Sequence, residues 1–499
     1  MKAEVDVAII GTGFAGLTAA VRLKQQRNTS FILFERADEV GGTWRDNVYP
    51  GCACDVPSHL YSLSFAPNPG WSRLYSPQPE ILVYLKNVVS QHGLAPHIHY
   101  NTEIIRTEFS ESNGFWTLTD RQQKSYTARV VIGALGPLNR PSIPRLNGLD
   151  TFTGRAFHSS AWDHSFDLTG KRVAVVGTGA SAIQIIPQIA PSVFQLTVFQ
   201  RTAPYVTPRL DRAVSPFEQR LFRHLPILQQ TYRSFIYWLN ELRGLSFLGN
   251  ETFNKLGTKE AIKHIEASIA DPELRRKVTP TYKLGCKRVL VSDDYYPALN
   301  RPNVELVTDR ISEVRATSII TADGTERPVD ALIFSTGFVA ADIISDLQII
   351  GRDGRNLFTE WLTTGAEAHY GITVSGYPNL LFLVGPNTGL GHNSIVHMIE
   401  SQVNYVLDYL RLLDDAGEGA YLDVKPDAQE TYNKILQQKL TGTVWASGCQ
   451  SWYLNAQGRN TTIWPGLTAS YRKATRRVKP SDYTVVQAAS TTPLLQNEL

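Results

Sequence analysis

The sequence predicts an α/β fold in which two Rossmann-like dinucleotide-binding domains carry a mostly helical insertion. Residues 5–16 (VDVAIIGTGFAG) and 171–182 (KRVAVVGTGASA) share one pattern, a β-branched run, a glycine-rich turn and an apolar stretch of helical period. This pattern is typical of a strand, a turn and a helix. Between residues 215 and 277 long amphipathic runs replace it and predict the helical insertion.

These changes of pattern also set the expected domain boundaries. The insertion interrupts the second dinucleotide-binding domain, and the second domain in turn interrupts the first. Each of the two domains is therefore expected in two pieces. The expected ranges are 1–145 and 328–485 for the first domain, 146–210 and 281–327 for the second, 211–280 for the insertion and 486–499 for a flexible tail.

Composition excludes several classes of protein. The 499 residues carry a net charge of only +3, which gives no sign of a nucleic-acid surface. Four cysteines without a Cys-x-x-Cys motif predict neither a disulfide framework nor a zinc site, and a reducing cytoplasm fits them. The first residues run directly into an apolar strand pattern, so we expect a protein that is neither exported nor membrane-spanning.

The first glycine turn predicts a dinucleotide site. Gly11, Gly13 and Gly16 have the spacing that permits a tight turn, close approach of a pyrophosphate and packing of the helix on the strand. The next predicted strand, FILFER, ends in Glu35, 24 residues after Gly11, where a carboxylate can accept hydrogen bonds from a ribose.

The second glycine turn predicts a site for a different nucleotide. Gly177 and Gly179 repeat the turn, but the next strand, LTVFQR, has Gln200 where the first has an acid, and Arg201 follows. Loss of the carboxylate removes repulsion of a 2′-phosphate, and a nearby arginine can pair with it. We therefore expect FAD in the first domain and NADPH in the second.

Cys52 and Cys54 bear on which kind of flavin enzyme this is. Disulfide reductases need a redox cysteine pair beside the flavin, and two cysteines only two residues apart would close a strained ring. We expect both to be small buried residues. His392 and His397 are five residues apart without a third ligand in register, so no metal site is expected.

Local signals define three further elements. Ser215, Pro216 and Glu218 predict a capped helix start, and Asp323-Gly324 predicts a hairpin. A long helix is expected to open at Asn393 and Ser394.

The insertion contains an aromatic-rich run, residues 231–249. A membrane-surface helix is one interpretation of it, but charged residues interrupt the run at 233, 241 and 243. We expect it instead to pack against the protein or to line a pocket.

The stretch FTGRAFHSSAWD, residues 152–163, carries the most specific motif. Its residues Phe152, Gly154, His158, Trp162 and Asp163 fit F-x-G-x-x-x-H-x-x-x-W-[PD]. With it the chain resembles the Baeyer-Villiger monooxygenases, FAD- and NADPH-dependent enzymes that insert oxygen beside a carbonyl to form esters or lactones. The likeness extends over GGTWRDNVYPGCACD (41–55), DALIFSTGF (330–338), GPNTGLGHNS (385–394), KRVLVSDDYYPALNRPNVELV (287–307) and SWYLNAQGRNTTIWPG (451–466).

The resemblance implies a set of site residues. In the implied cycle NADPH reduces FAD, dioxygen adds to form a flavin peroxide, and Arg288 holds its negative charge while Asp55 orients Arg288. The motif of residues 152–163 is implied to be a joint that couples NADPH-domain movement to the flavin. Further implied contacts are Gly42, Thr43, Trp44, Tyr61 and Ser181 with the cofactors, Thr202 and Lys287 on the NADPH side, and Trp452 on the substrate side.

Two other functions stay open from the sequence. Related flavin monooxygenases oxidise sulfur or nitrogen, although they usually lack the Trp-Asp ending seen at 162–163. A non-catalytic flavin-binding or redox-sensing protein is the other alternative, which the two intact nucleotide motifs disfavour. The helix that opens at Asn393 is expected to aim its positive end at the flavin.

Overall fold

The computed structural model describes residues 3–26, 29–339, 344 and 346–488. Its strands are β1 Val5–Ile10, β2 Phe31–Phe34, β3 Ile98–His99, β4 Ile104–Ser110, β5 Phe115–Asp120, β6 Ser125–Gly133, β7 Arg155–His158, β8 Arg172–Val176, β9 Gln195–Phe199, β10 Val206–Thr207, β11 Leu290–Val291, β12 Val304–Val307, β13 Ile311–Val314, β14 Ser318–Thr321, β15 Glu326–Pro328, β16 Ala331–Phe334, β17 Gln348–Ile350, β18 Thr373–Val374, β19 Tyr377–Phe382, β20 Ala420–Val424 and β21 Tyr483–Gln487. Its helices are α1 Phe14–Gln26, α2 Thr43–Asp46, α3 Gln78–Gln91, α4 Ala182–Ile189, α5 Pro216–His224, α6 Pro226–Gly244, α7 Glu251–Ser268, α8 Pro272–Val278, α9 Tyr295–Leu299, α10 Leu357–Thr364, α11 Ile395–Asp415, α12 Pro426–Thr441 and α13 Thr468–Ala474.

The first sheet is built around β1, which runs parallel to β2 on one side and to β6 on the other. Its strand order is β17-β4-β5-β6-β1-β2-β3, and β19 pairs with the carboxyl-terminal part of β6. Val7 and Ile9 face a core that includes side chains of α1, α3 and α11, while Ala8 and Ile10 belong to a second core on the opposite face. Burial on both faces explains why this strand is apolar without a break from Val7 to Ile10.

The second sheet, β12-β9-β8-β16-β7, is parallel throughout. Helices α4 and α9 bury their apolar residues against it. The prediction of two Rossmann-like units is therefore confirmed. The expected boundary at residue 327/328 is wrong, however, because β16 pairs with β7 and β8, so the second unit reaches at least Phe334.

Two segments connect the units and lie side by side. The segment after β6 pairs with the segment after β16, since Ser142 N donates to Gly337 O at 2.9 Å and Val339 N donates to Arg140 O at 3.0 Å. The chain therefore leaves and re-enters the first unit at one place.

The insertion corresponds to α5–α8, as predicted. Ser215 Oγ accepts from Glu218 N at 3.2 Å, and the Glu218 carboxylate accepts from Ser215 N at 2.9 Å, which completes the expected capping box. The hairpin at Asp323-Gly324 is also confirmed by the antiparallel pairing of β14 with β15.

The expectation that the aromatic-rich run packs inward is wrong for Phe235 and Trp238, whereas Phe247 of the same run is buried as expected. Phe235 and Trp238 of α6 are 62% and 60% exposed, whereas Arg233 and Glu241 point into the protein and are bonded there. Hydrogen bonds to these two charged residues fix the rotation of the helix and leave its aromatic face outside.

The carboxyl-terminal part completes the first unit. As predicted, α11 begins directly after its N-cap Ser394, whose Oγ accepts from Val396 N at 3.3 Å. The flexible tail was expected from residue 486, but β21 continues to Gln487 and pairs with β20; residues 489–499 of that expected tail lie outside the described residues. Over the ranges described above, no helix is long and apolar enough to cross a membrane.

We predict that Gly177→Ala destabilises the protein by about 1–3 kcal/mol, whereas Gly179→Ala in the same turn leaves the free energy of unfolding nearly unchanged. Gly177 has a φ of +105°, and an added Cβ would lie 2.5 Å from Ser335 O; at Gly179 nothing lies within 4 Å. Urea unfolding of both variants measures the difference, and equal midpoints would contradict it.

Candidate active site

The first glycine turn has the shape expected of a pyrophosphate cradle. Gly11 has a φ of +106° and no room for a Cβ beside Ala134 O, and a Cβ on Gly16 would overlap the Gly11 carbonyl. Gly13 faces Gly42, and a Cβ on Gly13 would stop 4.0 Å from the Gly42 Cα. The backbones of Gly13 and Gly42, which carry no side chains, and Thr43 at the start of α2 thus line one space that fits a phosphate group.

Glu35 lies beside this turn, as predicted. Its carboxylate accepts from Thr12 N at 3.2 Å and from Ala37 N at 3.1 Å. Arg45 donates to the same carboxylate at 2.7 Å, a partner that the sequence analysis missed. The carboxylate is thereby fixed at the end of β2, next to the glycine turn.

The second glycine turn repeats this geometry with a different environment. Gly177 approaches Ser335 O as closely as Gly11 approaches Ala134 O, while Gly179 borders open space. Ser181 is the N-cap residue of α4, and its side chain contacts the hydroxyl of Tyr49 from the first unit.

The residues expected at the 2′-phosphate separate into two groups. Gln200 is buried and donates to Lys277 O at 2.7 Å, so it faces the insertion. Arg201 is exposed, and the backbone carbonyl of the next residue, Thr202, accepts a hydrogen bond from Thr178 Oγ1 at 3.4 Å. Lys287 lies near Arg201, since burial and the charge of Arg201 both lower the pKa of Lys287. Two neighbouring cations with no described carboxylate partner form an environment that suits a phosphate.

Asp55 and Arg288 form the ion pair at the centre of the candidate site. Arg288 donates from both Nε and a terminal nitrogen to one Asp55 oxygen, at 3.1 and 2.6 Å. Burial acts to raise the pKa of Asp55, but the charge and hydrogen bonds of Arg288, a backbone hydrogen bond and the charge of Arg209 together lower it below its usual value. The charge of Asp55 in turn raises the pKa of Arg288, so both groups stay ionised.

Three residues that the sequence analysis missed lie at this pair, and two of them hold the loop of Asp55 in place. Arg209 donates to Cys54 O at 2.9 Å, directly before Asp55. Gln184 of α4 donates to Ala53 O at 3.0 Å and accepts from Tyr49 at 3.0 Å. The loop that carries Asp55 is thus fastened to the second unit.

Tyr453 is the third. Its ring is buried near the ion pair, and its hydroxyl has no hydrogen-bond partner within the described structure. Burial raises its pKa to about 12 although Arg288 acts in the opposite direction. Its neighbour Trp452, the expected substrate-side residue, is 42% exposed and packs on the Tyr453 ring at 4.5 Å between centroids.

Two predicted flavin-side aromatics, Trp44 and Tyr61, lie together. Trp44 Nε1 donates to Tyr61 OH at 3.0 Å, and the Tyr61 ring packs edge-on against Phe14 at the start of α1. They lie beside the glycine turn, close enough to the ion pair for the charges of Asp55 and Arg288 to act on the pKa of Tyr61, which burial raises. Cys52 and Cys54 are buried and free as expected, and burial raises the pKa of Cys52 to about 12.

The residues of the 152–163 motif lie at the edge of the second sheet. Gly154 is needed because a Cβ there would lie 2.5 Å from both Asp330 O and the Phe152 ring. His158 is buried at the end of β7, close to the connecting segment through Gly337 and the Phe338 ring. Trp162 packs edge-on against Phe157. Asp163 pairs with Arg155 at 2.5 Å.

Cys286 and Cys449 form a disulfide, with Cα atoms 6.2 Å apart. The expectation that the cysteines form no disulfide is therefore wrong for this pair. The two residues are 163 positions apart in sequence, but the fold brings them together. Cys286 directly precedes Lys287, and Cys449 lies four residues before Tyr453. The bond ties the two segments that meet at the ion pair.

The two histidines that were considered as metal ligands each contact another side chain. His392 lies 3.3 Å from Glu241, and His397 packs on the Tyr237 ring. No group of three or more His, Cys, Asp or Glu side chains in the part of the chain described above could hold a metal ion.

Comparison with known proteins identifies the family. A model described as flavin-binding monooxygenase-like matches residues 4–346. Baeyer-Villiger monooxygenases of Streptomyces coelicolor and Pseudomonas aeruginosa are 49% and 50% identical, over 97% and 99% of this chain and 93% of each relative. A crystal structure of OTEMO with FAD and NADP superimposes with a TM-score of 0.87 at 27% identity, and covers 97% of this chain and 100% of that one. The chain belongs to the Baeyer-Villiger monooxygenases, within the flavin-binding monooxygenase-like family.

We predict that reduction of the Cys286–Cys449 bond lowers the free energy of unfolding by about 2–4 kcal/mol, because it releases a long loop in the unfolded chain. Cys449→Ser should show the same loss and no further response to a thiol reductant. Unfolding curves with and without reductant test this prediction. A parent protein whose free energy of unfolding is the same in both conditions would refute it.

Proposed function

We propose that the protein binds FAD and NADPH and inserts one oxygen atom of dioxygen beside the carbonyl of a small-molecule ketone. The products are an ester or lactone, NADP⁺ and water, which carries the second oxygen atom. Bound FAD supplies the redox chemistry, since it accepts a hydride from NADPH and passes electrons to dioxygen. The observation that carries the proposal is the Asp55–Arg288 pair, set between two glycine turns that each fit a dinucleotide.

In this proposal Arg288 supplies a fixed positive charge. A guanidinium remains protonated throughout the reaction and can donate two hydrogen bonds to an oxygen that gains negative charge. Asp55 is a positioning residue, because its contact with two Arg288 nitrogens sets the direction of the guanidinium plane. Arg209 and Gln184 support that position from the second unit and its flank.

The same charge favours oxygen insertion over the second candidate function, oxidation of sulfur or nitrogen. A lone pair on sulfur or nitrogen attacks an electrophilic oxygen, and such a step does not need a cation that holds an anionic oxygen. A guanidinium kept charged by Asp55 is suited to the ketone reaction.

We assign Arg201 and Lys287 to the 2′-phosphate of NADPH, and Glu35 to the ribose of FAD. Two neighbouring cations support the first assignment and the carboxylate beside Thr12 supports the second. His158 is assigned to coupling between the units, because it is buried against the segment that connects them.

We also infer the cytoplasm as the working compartment, where NADPH is regenerated. The Cys286–Cys449 bond is the observation that opposes it, since disulfides are rare in reducing compartments. Cys286 is wholly buried, which restricts attack by a reductant to the Cys449 side.

We predict that Arg288→Ala keeps reduction of FAD by NADPH but lowers ester formation about 10²–10³-fold, as loss of a donor to a developing oxyanion does elsewhere. With a ketone and ¹⁸O₂, the parent should give an ester that carries one labelled oxygen. Mass spectrometry of the product and anaerobic absorbance of the flavin measure the two steps separately.

Arg106→Ala is the matched control for that variant, because Arg106 also pairs with a carboxylate but lies on β4 with its side chain 41% exposed. It should change neither step. Normal ester yield in Arg288→Ala would remove Arg288 from the reaction, and an unlabelled ester from the parent would overturn the proposed function.

We predict that Arg201→Ala weakens binding of NADPH about 10–100-fold and leaves NADH nearly unaffected, because only NADPH carries the phosphate. Arg36→Ala serves as the control, since Arg36 occupies the same place after the first-unit strand. The ratio of kcat/KM for the two nucleotides is the measurement, and an unchanged ratio in Arg201→Ala would contradict the assignment.

A further inference from the structure

Helix α6 has the reverse of the polarity expected for a surface helix. Its buried side carries Gln229, Asn240 and Glu241 beside a single large apolar residue, Ile236, while Phe235 and Trp238 on its outer side are mostly exposed. Amphipathic helices of water-soluble proteins bury their apolar stripe and expose their charges. An outward apolar stripe indicates that this side of the helix meets something other than water.

The inner side cannot turn outward, because it is bonded to the rest of the protein. Gln229 donates to Asn68 O at 2.8 Å, and Arg233 donates to His59 O at 2.7 Å and to Ser62 O at 2.8 Å. Glu241 accepts from Thr468 N at 3.2 Å at the start of α13. These contacts hold α6 flat on the protein and its apolar stripe outward.

The stripe is part of a larger apolar surface. Exposed apolar side chains recur at helical spacing along the outer side of α6. Two more exposed apolar side chains come from α5 and from the bend before α6. We define this outer face as the exposed apolar residues Phe217, Leu225, Ile227, Leu228, Phe235, Trp238, Leu239 and Leu242.

The exposed ionisable side chains that α5 and α6 contribute beside the outer face are all basic. The exposed ionisable residues of α5 and α6 are Arg220, Arg223, His224 and Arg243. The two acids of these helices are not available there, since Glu218 pairs with Arg212 and Glu241 is buried.

Helix α13, which touches α6, extends this positive charge. Thr468 Oγ1 donates to Tyr237 OH at 3.0 Å, and the Tyr237 ring packs against Trp238. A cleft of about 590 Å³ next to it is lined by the cations Arg411, Arg472, Lys473, Arg476 and Arg477, with Asp408 as the acidic residue.

We propose that the outer face docks on the surface of a lipid bilayer that contains anionic phospholipids. Tryptophan and other aromatic side chains favour the boundary between acyl chains and headgroups, and flanking arginines attract anionic headgroups. A second copy of this chain fits less well, because a two-fold contact through this face would bring two surfaces of the same positive charge together.

The docking is independent of the proposed oxygenation, although the two are compatible. Apolar ketones dissolve in bilayers, so a docked enzyme works beside the phase that holds such substrates. Charges at Arg233 and Glu241 remain in the protein, and the helix lies along the bilayer surface.

Sedimentation with vesicles tests the proposal on the FAD-loaded full chain. The parent should sediment with vesicles of phosphatidylcholine and about one third phosphatidylglycerol, and at least about tenfold less with phosphatidylcholine alone. The double variant Phe235→Gln/Trp238→Gln and the double variant Arg220→Glu/Arg223→Glu should each lose about tenfold or more. Raised ionic strength should weaken binding of the parent protein to the anionic vesicles.

Phe194→Gln is the matched control, since Phe194 is 69% exposed on a different part of the chain. It should sediment like the parent, and circular dichroism and NADPH oxidation should be unchanged in every variant. Absence of vesicle binding by the parent, or equal binding by the Phe235→Gln/Trp238→Gln variant, overturns the proposal. Light scattering that shows a dimer dissociated by that variant, without vesicle binding, assigns the face to a second copy instead.

Discussion

The ion pair between Asp55 and Arg288 is the contact on which the candidate site depends. Its partners are 233 residues apart in sequence, one in a loop of the first unit and the other just beyond the insertion. A partly buried guanidinium is costly without a carboxylate beside it, so the two segments must meet. Around that meeting point lie the aromatic pair of Trp44 and Tyr61, the ring of Tyr453 and the disulfide.

Features that depend on neighbouring residues were predictable from the sequence. Both glycine turns, the capping box at Ser215, the hairpin at Asp323-Gly324 and the start of α11 follow from residues within a few positions of each other. Asp55 and Arg288 had no such local signal. Their pairing came from the resemblance to a family, and the structure supplies the distances.

Features set by contacts far apart in sequence were not predictable. The apolar run of β16 predicts a strand buried on both faces, but not which of the two large sheets receives it. Tyr453 and Gln184 carry no sequence pattern, because their importance arises only where the two units touch. The amphipathic period of α6 was visible, whereas its inward polar side depends on carbonyl groups of the 59–68 loop.

The two connecting segments have a mechanical consequence. Because residues 140–142 and 337–339 are hydrogen-bonded to each other, the two covalent links between the units form one narrow ribbon. The contacts of Gln184 and Arg209 with the loop before Asp55 join the units at a second place, so any rotation of the second unit about the ribbon must move or break those contacts. His158 is packed against the ribbon, so its packing acts where the two units are covalently joined.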